Sequence, residues 1–193
     1  MKINLIHLQN IKSYDDREIR FFDGVNFISG INGAGKSTII ESIGFALFDV
    51  KPKPLVNFLR DGAKSGAVTV FFTANDDREY RVVRKLRGNA AFSWQVYDAE
   101  TGGELDLHGA GDVRAWLAEN TGIDPDQDPE KLFRDVIGVN QGNFTAPFLQ
   151  SEVPRKQVFN SILKVDGYRE AYQKSANAVT ILRDAIREKE KER

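Results

Sequence analysis

The chain contains no cysteine, which excludes disulfides and thiolate metal sites and fits a reducing compartment. No apolar run approaches the roughly 20 residues of a membrane-spanning helix, and the N-terminus lacks a signal-peptide pattern. Nor is there an excess of one charge. The 27 Lys and Arg against 28 Asp and Glu leave a net charge of −1, so any contact with nucleic acid must be local. His7 and His108 are the two histidines, and neither has a partner at metal-ligand spacing. These absences predict a cytoplasmic protein, or a nucleoid or nuclear one, that does not contact a membrane. What remains is 193 residues, 41% of them hydrophobic, enough for a sizeable core in one domain with an extension.

The strongest local signal is Gly30-Ile31-Asn32-Gly33-Ala34-Gly35-Lys36-Ser37-Thr38, which fits G-x-x-x-x-G-K-[ST], the phosphate-binding loop. Glycines at 30, 33 and 35 let backbone N–H groups turn inward, where Cβ atoms would otherwise keep a phosphate out. The context agrees. Val25 to Ser29 is a short apolar run that predicts a buried strand. Ile39, Ile40, Ile43 and Phe45 to Phe48 predict a strongly apolar helix. At such a helix N-terminus the dipole favours an anion, Lys36 can reach the β- and γ-phosphates, and the Ser37 hydroxyl can ligate Mg²⁺. The pattern implies nucleoside-triphosphate binding.

Around that loop the chain reads as mixed α/β. Lys2 to Leu8 and Arg17 to Phe22 alternate as strands, with Asn10 to Tyr14 as the loop between them. Lys51-Pro52-Lys53-Pro54 is a linker, and Leu55 to Arg60 a short helical turn. Ala67 to Ala74, Glu79 to Arg87 and Phe92 to Tyr97 predict an antiparallel β-meander, ending at the turn Thr101-Gly102-Gly103. A helix is expected over Asp112 to Asn120, with Asp112 as N-cap and Gly122 beyond its end. Glu130 to Asp135 reads as a short helix and Val136 to Val139 as an apolar strand. From Pro154 the chain is helical. Val165, Tyr168, Tyr172, Ser175, Val179, Leu182 and Ile186 recur at three- and four-residue spacing, a heptad seam. That seam runs into Arg187 to Arg193 without a glycine or proline to close it, which reads as a chain cut from a longer one. The expected domains are 1–153 and a coiled-coil root at 154–193.

Hydrolysis needs more than this loop. An apolar strand ending in Asp is expected to hold Mg²⁺, with a group that positions the attacking water. Ile43 to Asp49 belongs to the loop's own helix, Val165-Asp166 to the heptad helix, and Gln95 to Asp98 is too polar. The missing parts must come from elsewhere.

Presence and absence together resemble the SMC-like, ABC-type ATPases of DNA double-strand-break repair, the exonuclease SbcC type. There the ATPase head is split, and the N-terminal lobe carries the phosphate loop before entering a long coiled coil. Gly30 to Thr38 is similar to the family loop G-x-N-G-[AS]-G-K-[ST]. Asn10-Ile11-Lys12-Ser13-Tyr14 is similar to its N-[FI]-[RK]-S segment, which implies Lys12 and Ser13 beside the nucleotide. Val139-Asn140-Gln141-Gly142 resembles the Q-loop, which implies Gln141 near Mg²⁺ and the γ-phosphate. Arg60-Asp61-Gly62-Ala63-Lys64 resembles a loop near the base.

The resemblance implies an ABC-type head lobe of the P-loop NTPase fold, and an ATPase with half of its active site in this chain. ATP and Mg²⁺ would be held by Lys12, Ser13, Asn32, Gly33, Ala34, Gly35, Lys36, Ser37, Thr38 and Gln141, with Lys36 and Gln141 catalytic and Ser37 and Gln141 on the metal. Implied partners are the C-terminal lobe of the same protein with the signature motif and the Asp-Glu strand, a second head in an ATP-dependent homodimer, a repair nuclease and double-stranded DNA.

Other readings stand beside this one. Gln141 alone is a polar loop residue, and Lys12 alone a solvated lysine. Arg81, Lys85 and Arg87 share one strand face with Arg84 opposite, which suits a solvated face or a DNA backbone. Trp94 and Trp116 read as core. A guanine-specific switch would need [NT]-K-x-D, yet Leu163-Lys164-Val165-Asp166 has Leu at the key position. A chromosome-type SMC protein, a RecF-like recombination ATPase and a non-hydrolysing coiled-coil scaffold remain as alternatives, with the heptads weighing against the RecF type.

Overall fold

The computed structural model describes residues 1–123, 127–139, 146–149, 151–163 and 165–191. These fall into two units, Met1–Asn140 and Gln141–Arg193.

The first unit is built on β1 (Lys2–Ile11), β2 (Tyr14–Arg20), β3 (Ser65–Thr73), β4 (Glu79–Arg87) and β5 (Ala90–Asp98). They form one antiparallel sheet in the order β2-β1-β3-β4-β5. The expected meander is present, and the first strand continues to Ile11, where it pairs with Tyr14 across a two-residue turn. Alternation sets which face is dry. Ile6, Val70, Val82 and Val96 lie side by side in register and are all buried. Against that face pack α1 (Lys36–Phe48) and α2 (Ala110–Thr121), the latter through Val113 and Leu117. Nearly every residue of α1 from Thr38 to Phe48 is buried, as expected of a helix that is apolar all round. Trp94 and Trp116 are half-buried against the core, and Trp94 donates its indole N–H to Ala46 O at 2.8 Å.

One core position breaks the apolar pattern. The row Leu8–Val68–Arg84–Trp94 crosses the buried face, and Arg84 is 2% exposed. Its guanidinium lies over the Phe45 ring at 4.5 Å and the Trp94 ring at 4.1 Å. It donates to Phe45 O and to the Asp49 carboxylate. Asp49 also receives Arg114 from α2 and lies 3.3 Å from Lys51. The C-terminus of α1, where carbonyls carry partial negative charge, is thus tied to β4 and β5 by a buried cation and to α2 by the half-exposed Arg114.

Several expected elements differ. Residues 25–30 form no strand, and Val25 and Phe27 are 99% and 89% exposed. A strand exists only where another lies beside it to take its backbone hydrogen bonds, and among the described residues none pairs with this one. Val136 to Val139 is not a strand either. Asp128 caps Pro129–Leu132 (α3) by accepting from the N–H groups of Glu130 and Lys131, and the chain continues as a π-helical turn over Phe133–Ile137. A short apolar run fits either period, and here the helix start at Asp128 and Pro129 decides it. Gly109, not Asp112, caps α2. Asp112 sits inside the first turn and accepts from His108 N–H at 2.9 Å. Gly122 ends that helix in the left-handed conformation, as expected.

Phe133 is wedged between two glycines. A Cβ on Gly44 would lie 2.4 Å from its ring, and one on Gly138 2.2 Å. The ring also rests on Phe48, centroid to centroid 4.9 Å. With both sides blocked it cannot swing clear, so Gly44→Ala is expected to cost about 1–3 kcal/mol as overpacking. Urea denaturation of the variant against the parent checks this.

In the second unit, α4 (Ala146–Leu149), α5 (Glu152–Leu163) and α6 (Val165–Lys191) follow one another. Phe148 and Phe159 meet at 5.2 Å between α4 and α5. The 27 residues of α6 make a rod about 40 Å long at 1.5 Å per residue. Its heptad positions are open to solvent, Tyr168 at 78% and Leu182 at 63%. Such a stripe has the spacing of a coiled-coil seam.

Candidate functional site: the loop at the start of α1

The first turn of α1 follows Gly35 directly. Gly33 and Gly35 have φ of +82° and +90°, a region costly for side chains that carry a Cβ. Gly35 is constrained a second time. A Cβ there would stand 2.5 Å from Ser13 Oγ and 2.8 Å from the Tyr14 ring. The loop therefore has the small residues a phosphate cradle needs, and the β1–β2 turn is pressed against it.

Within the loop, Ala34 N–H donates to Ile31 O at 3.2 Å and Thr38 N–H to Gly35 O at 3.0 Å. Lys36 folds back along the loop, its ammonium donating to Gly30 O and Ile31 O at 2.8 Å each. Asn32 and Ser37 are exposed, whereas Thr38 is buried behind the loop. The Ser37 hydroxyl is thus available at the positive end of the helix dipole. Among the described residues no group of three or more His, Cys, Asp or Glu gathers to hold a metal. A divalent ion here would rest on Ser37, on phosphate oxygens and on groups outside those residues.

The turn residues are brought to the loop by several hydrogen bonds. Lys12, with φ of +44°, donates its N–H to Phe58 O at 3.0 Å. Arg60 N–H bonds Asn10 O at 3.0 Å, and its guanidinium reaches Ser13 O at 3.2 Å. Tyr14 donates its hydroxyl to Gly35 O at 3.2 Å. Burial pushes the Tyr14 phenol above its ordinary value, partly opposed by Arg17, so it remains a donor at neutral pH. The Lys12 ammonium pairs with the Glu41 carboxylate and lies 5.6 Å from the Phe58 ring centroid. Lys12, Glu41, Ile40, Phe133, Arg134 and Gly138 line a cavity of about 600 Å³ alongside α1.

Lys12, Ser13 and the stretch Gly30 to Thr38 thus lie together, as does Arg60. Gln141 falls outside the described residues. Sequence reasoning passed over Tyr14 and Glu41. The signal for Glu41 was its spacing, four residues after Ser37 and so on the same side of α1.

The family model described as "AAA domain" matches residues 5–193. The chain belongs to the AAA domain family. Over 89% of its length this AAA domain is 30% identical to a protein of Thermoplasma volcanium named "DNA double-strand break repair Rad50 ATPase", covering 19% of that relative. A protein of the same name from Archaeoglobus fulgidus is 27% identical over 96% of the chain, again with 19% of the relative covered. The AAA domain therefore spans about a fifth of the length of the curated relatives it matches. A solved structure described as "Structural biochemistry of ATP-driven dimerization and DNA stimulated activation of SMC ATPases" superposes with a TM-score of 0.63. It is 21% identical, and the match covers 84% of this chain and 99% of that one. That likeness shows the fold, mixed α/β of the P-loop NTPase type. Among the described residues no helix is long and apolar enough to cross a membrane.

Proposed function

We propose that this AAA domain is the N-terminal lobe of the ATPase head of a DNA double-strand-break repair protein, with residues 1–153 forming the lobe and 154–193 the root of a coiled coil. The carrying observation is the segment leading into the phosphate loop. Phe22, Val25, Phe27 and Ile31 are 75–99% exposed in a run whose composition is that of a buried strand. Exposed apolar surface of that kind marks an interaction site. A second lobe from a later part of a longer chain, one that supplies neighbouring strands, fits it. The relatives, about five times as long on the 19% coverage, have the length to supply one.

On this reading the chain binds ATP. Backbone N–H groups from Gly33 to Thr38 turn to the phosphates, while Asn32 lines the loop beside them. The N–H groups of Ala34 and Thr38 exchange Ile31 O and Gly35 O, and Lys36 exchanges its carbonyl partners, for phosphate oxygens. Lys12 and Ser13 lie beside the nucleotide, with Gln141 completing the γ-phosphate side. Mg²⁺ would rest on Ser37 and Gln141 and neutralise charge on the phosphates. The signature motif and the carboxylate strand come from the other lobe and from a second head, so binding closes a homodimer and hydrolysis opens it. Those movements would act on a partner nuclease and on double-stranded DNA. On the open face of the sheet Arg81 stacks on Tyr97 at 4.4 Å and Arg87 on Phe92 at 5.4 Å. With Lys85 they offer a local basic strip for a DNA backbone.

The full-length protein is expected to hydrolyse ATP and to dimerise when ATP is added under conditions of slow hydrolysis. Light scattering coupled to size exclusion, with and without ATP, checks this. A protein that stays monomeric and leaves ATP intact overturns the proposal.

A further inference from the structure

We infer that Glu41 is a positioning residue for nucleotide binding, acting through Lys12. This rests on the proposed placement of Lys12 beside the nucleotide and extends it to a carboxylate with no assigned role.

The backbone of Lys12 is fixed on every side. Its own N–H is held by Phe58 O, Asn10 O by Arg60 N–H, and Ser13 O by the Arg60 guanidinium. Tyr14 is tied to Gly35 O. What the backbone leaves free is the long side chain, whose ammonium could sample many rotamers in water. Two contacts remove that freedom, the Phe58 ring beneath the ammonium and the Glu41 carboxylate at its end. Both partners of the ion pair are 35% exposed, so the pair is screened less than a surface pair while remaining open on one side.

Direction follows from the helix. Glu41 is four residues beyond Ser37 and lies on the same side of α1. Its carboxylate therefore holds the ammonium on the side where Ser37 presents its hydroxyl. An ammonium has three N–H donors. One given to Glu41 leaves two for phosphate oxygens. The carboxylate thus places the cation before ATP arrives without exhausting its donors, which is preorganisation. A pair that served only to pin the β1–β2 turn to α1 would duplicate the bond from the Tyr14 hydroxyl to Gly35 O, while Arg60 holds the same turn to the segment after Phe58.

The test is a double-mutant cycle in the full-length protein, read as KM and kcat for ATP hydrolysis. Glu41→Gln is expected to raise KM about tenfold with kcat within twofold, the mark of lost binding that is equal in ground and transition states. Glu41→Asp, which keeps the charge one methylene shorter, is expected to recover most of that loss. Lys12→Met should raise KM at least as far, and adding Glu41→Gln to Lys12→Met should change nothing further. If Lys12→Met raises KM but Glu41→Gln adds its full effect on top, the inference about Glu41 is wrong while the placement of Lys12 stands. If Lys12→Met leaves KM unchanged, that placement fails and takes the inference with it. Equal losses in kcat and thermal stability without a change in KM would mark Glu41 as a packing residue and likewise overturn the inference.

Discussion

Lys36→Ala in the full-length protein is expected to weaken ATP binding by about two to four orders of magnitude and to abolish ATP-driven dimerisation. The estimate rests on two charge-assisted hydrogen bonds at roughly 1.5–3 kcal/mol each, at about 1.4 kcal/mol per tenfold in affinity. The ammonium is already bent along the loop toward Gly30 O and Ile31 O, so on binding it changes partners rather than travelling. Removing it leaves the glycine cradle intact but takes away the one side-chain cation in the loop. Titration calorimetry with a slowly hydrolysed ATP analogue measures the loss. An affinity within threefold of the parent would sink the assignment of Lys36 to the phosphates. Fold integrity is separable, because Lys36 precedes the fully buried part of α1.

The largest effect on stability is expected at Asp49. Asp49→Asn removes the charge facing Arg84, whose side chain is 3% exposed, and breaking one partner of a buried ion pair costs about 3–5 kcal/mol. Arg84→Met combined with Asp49→Asn should cost less than Asp49→Asn alone, because no unpaired cation is then left between Phe45 and Trp94. Urea denaturation of the single and double variants gives both numbers. Proton linkage predicts a matching pH dependence. Burial raises the Asp49 carboxyl, but the hydrogen bonds and charges of Arg84, Arg114 and Lys51 outweigh it and hold the group below its ordinary value. A carboxyl lowered in the folded state contributes stability that is complete above the unfolded value near 4 and is lost as pH falls through the lower folded value. Parent protein should therefore lose stability over that acid window, and Asp49→Asn should lose less there. An identical acid slope in both proteins counts against the linkage.

The loop was legible because its chemistry is local. Glycines, Lys36 and Ser37 must be adjacent in the chain to surround one phosphate, so spacing alone reveals them. The meander was legible for a similar reason, since β3, β4 and β5 alternate cleanly and are joined by short turns. Arg84 was misleading because strand alternation put a charged residue on the dry face, and only the end of α1, 35 residues earlier, explains it. Phe133 was hidden in an apolar run that fits two periods, and its setting between Gly44 and Gly138 is a matter of three-dimensional fit. Glu41 looked like one polar residue on an apolar helix until the β1–β2 turn brought Lys12 to it. Residues 25–29 had the composition of a strand, but composition cannot say which chain segment lies alongside.

The exposed apolar segment ahead of the loop sets a problem of timing. Translation at about 5–20 residues per second needs on the order of a minute to add the rest of a chain as long as the relatives. Through that interval Val25, Phe27 and Ile31 would face solvent from a folded platform. The nascent chain carries its own protection there. Asn26 ties the segment down through Phe22 N–H, Phe22 O and Gly24 O, and Asp23 pairs with Lys2 beside it. An amide and a charge interleaved with the hydrophobic residues act as gatekeepers. On the proposed reading, they would keep this stretch from pairing with a neighbouring ribosome's product until the strand of the second lobe emerges.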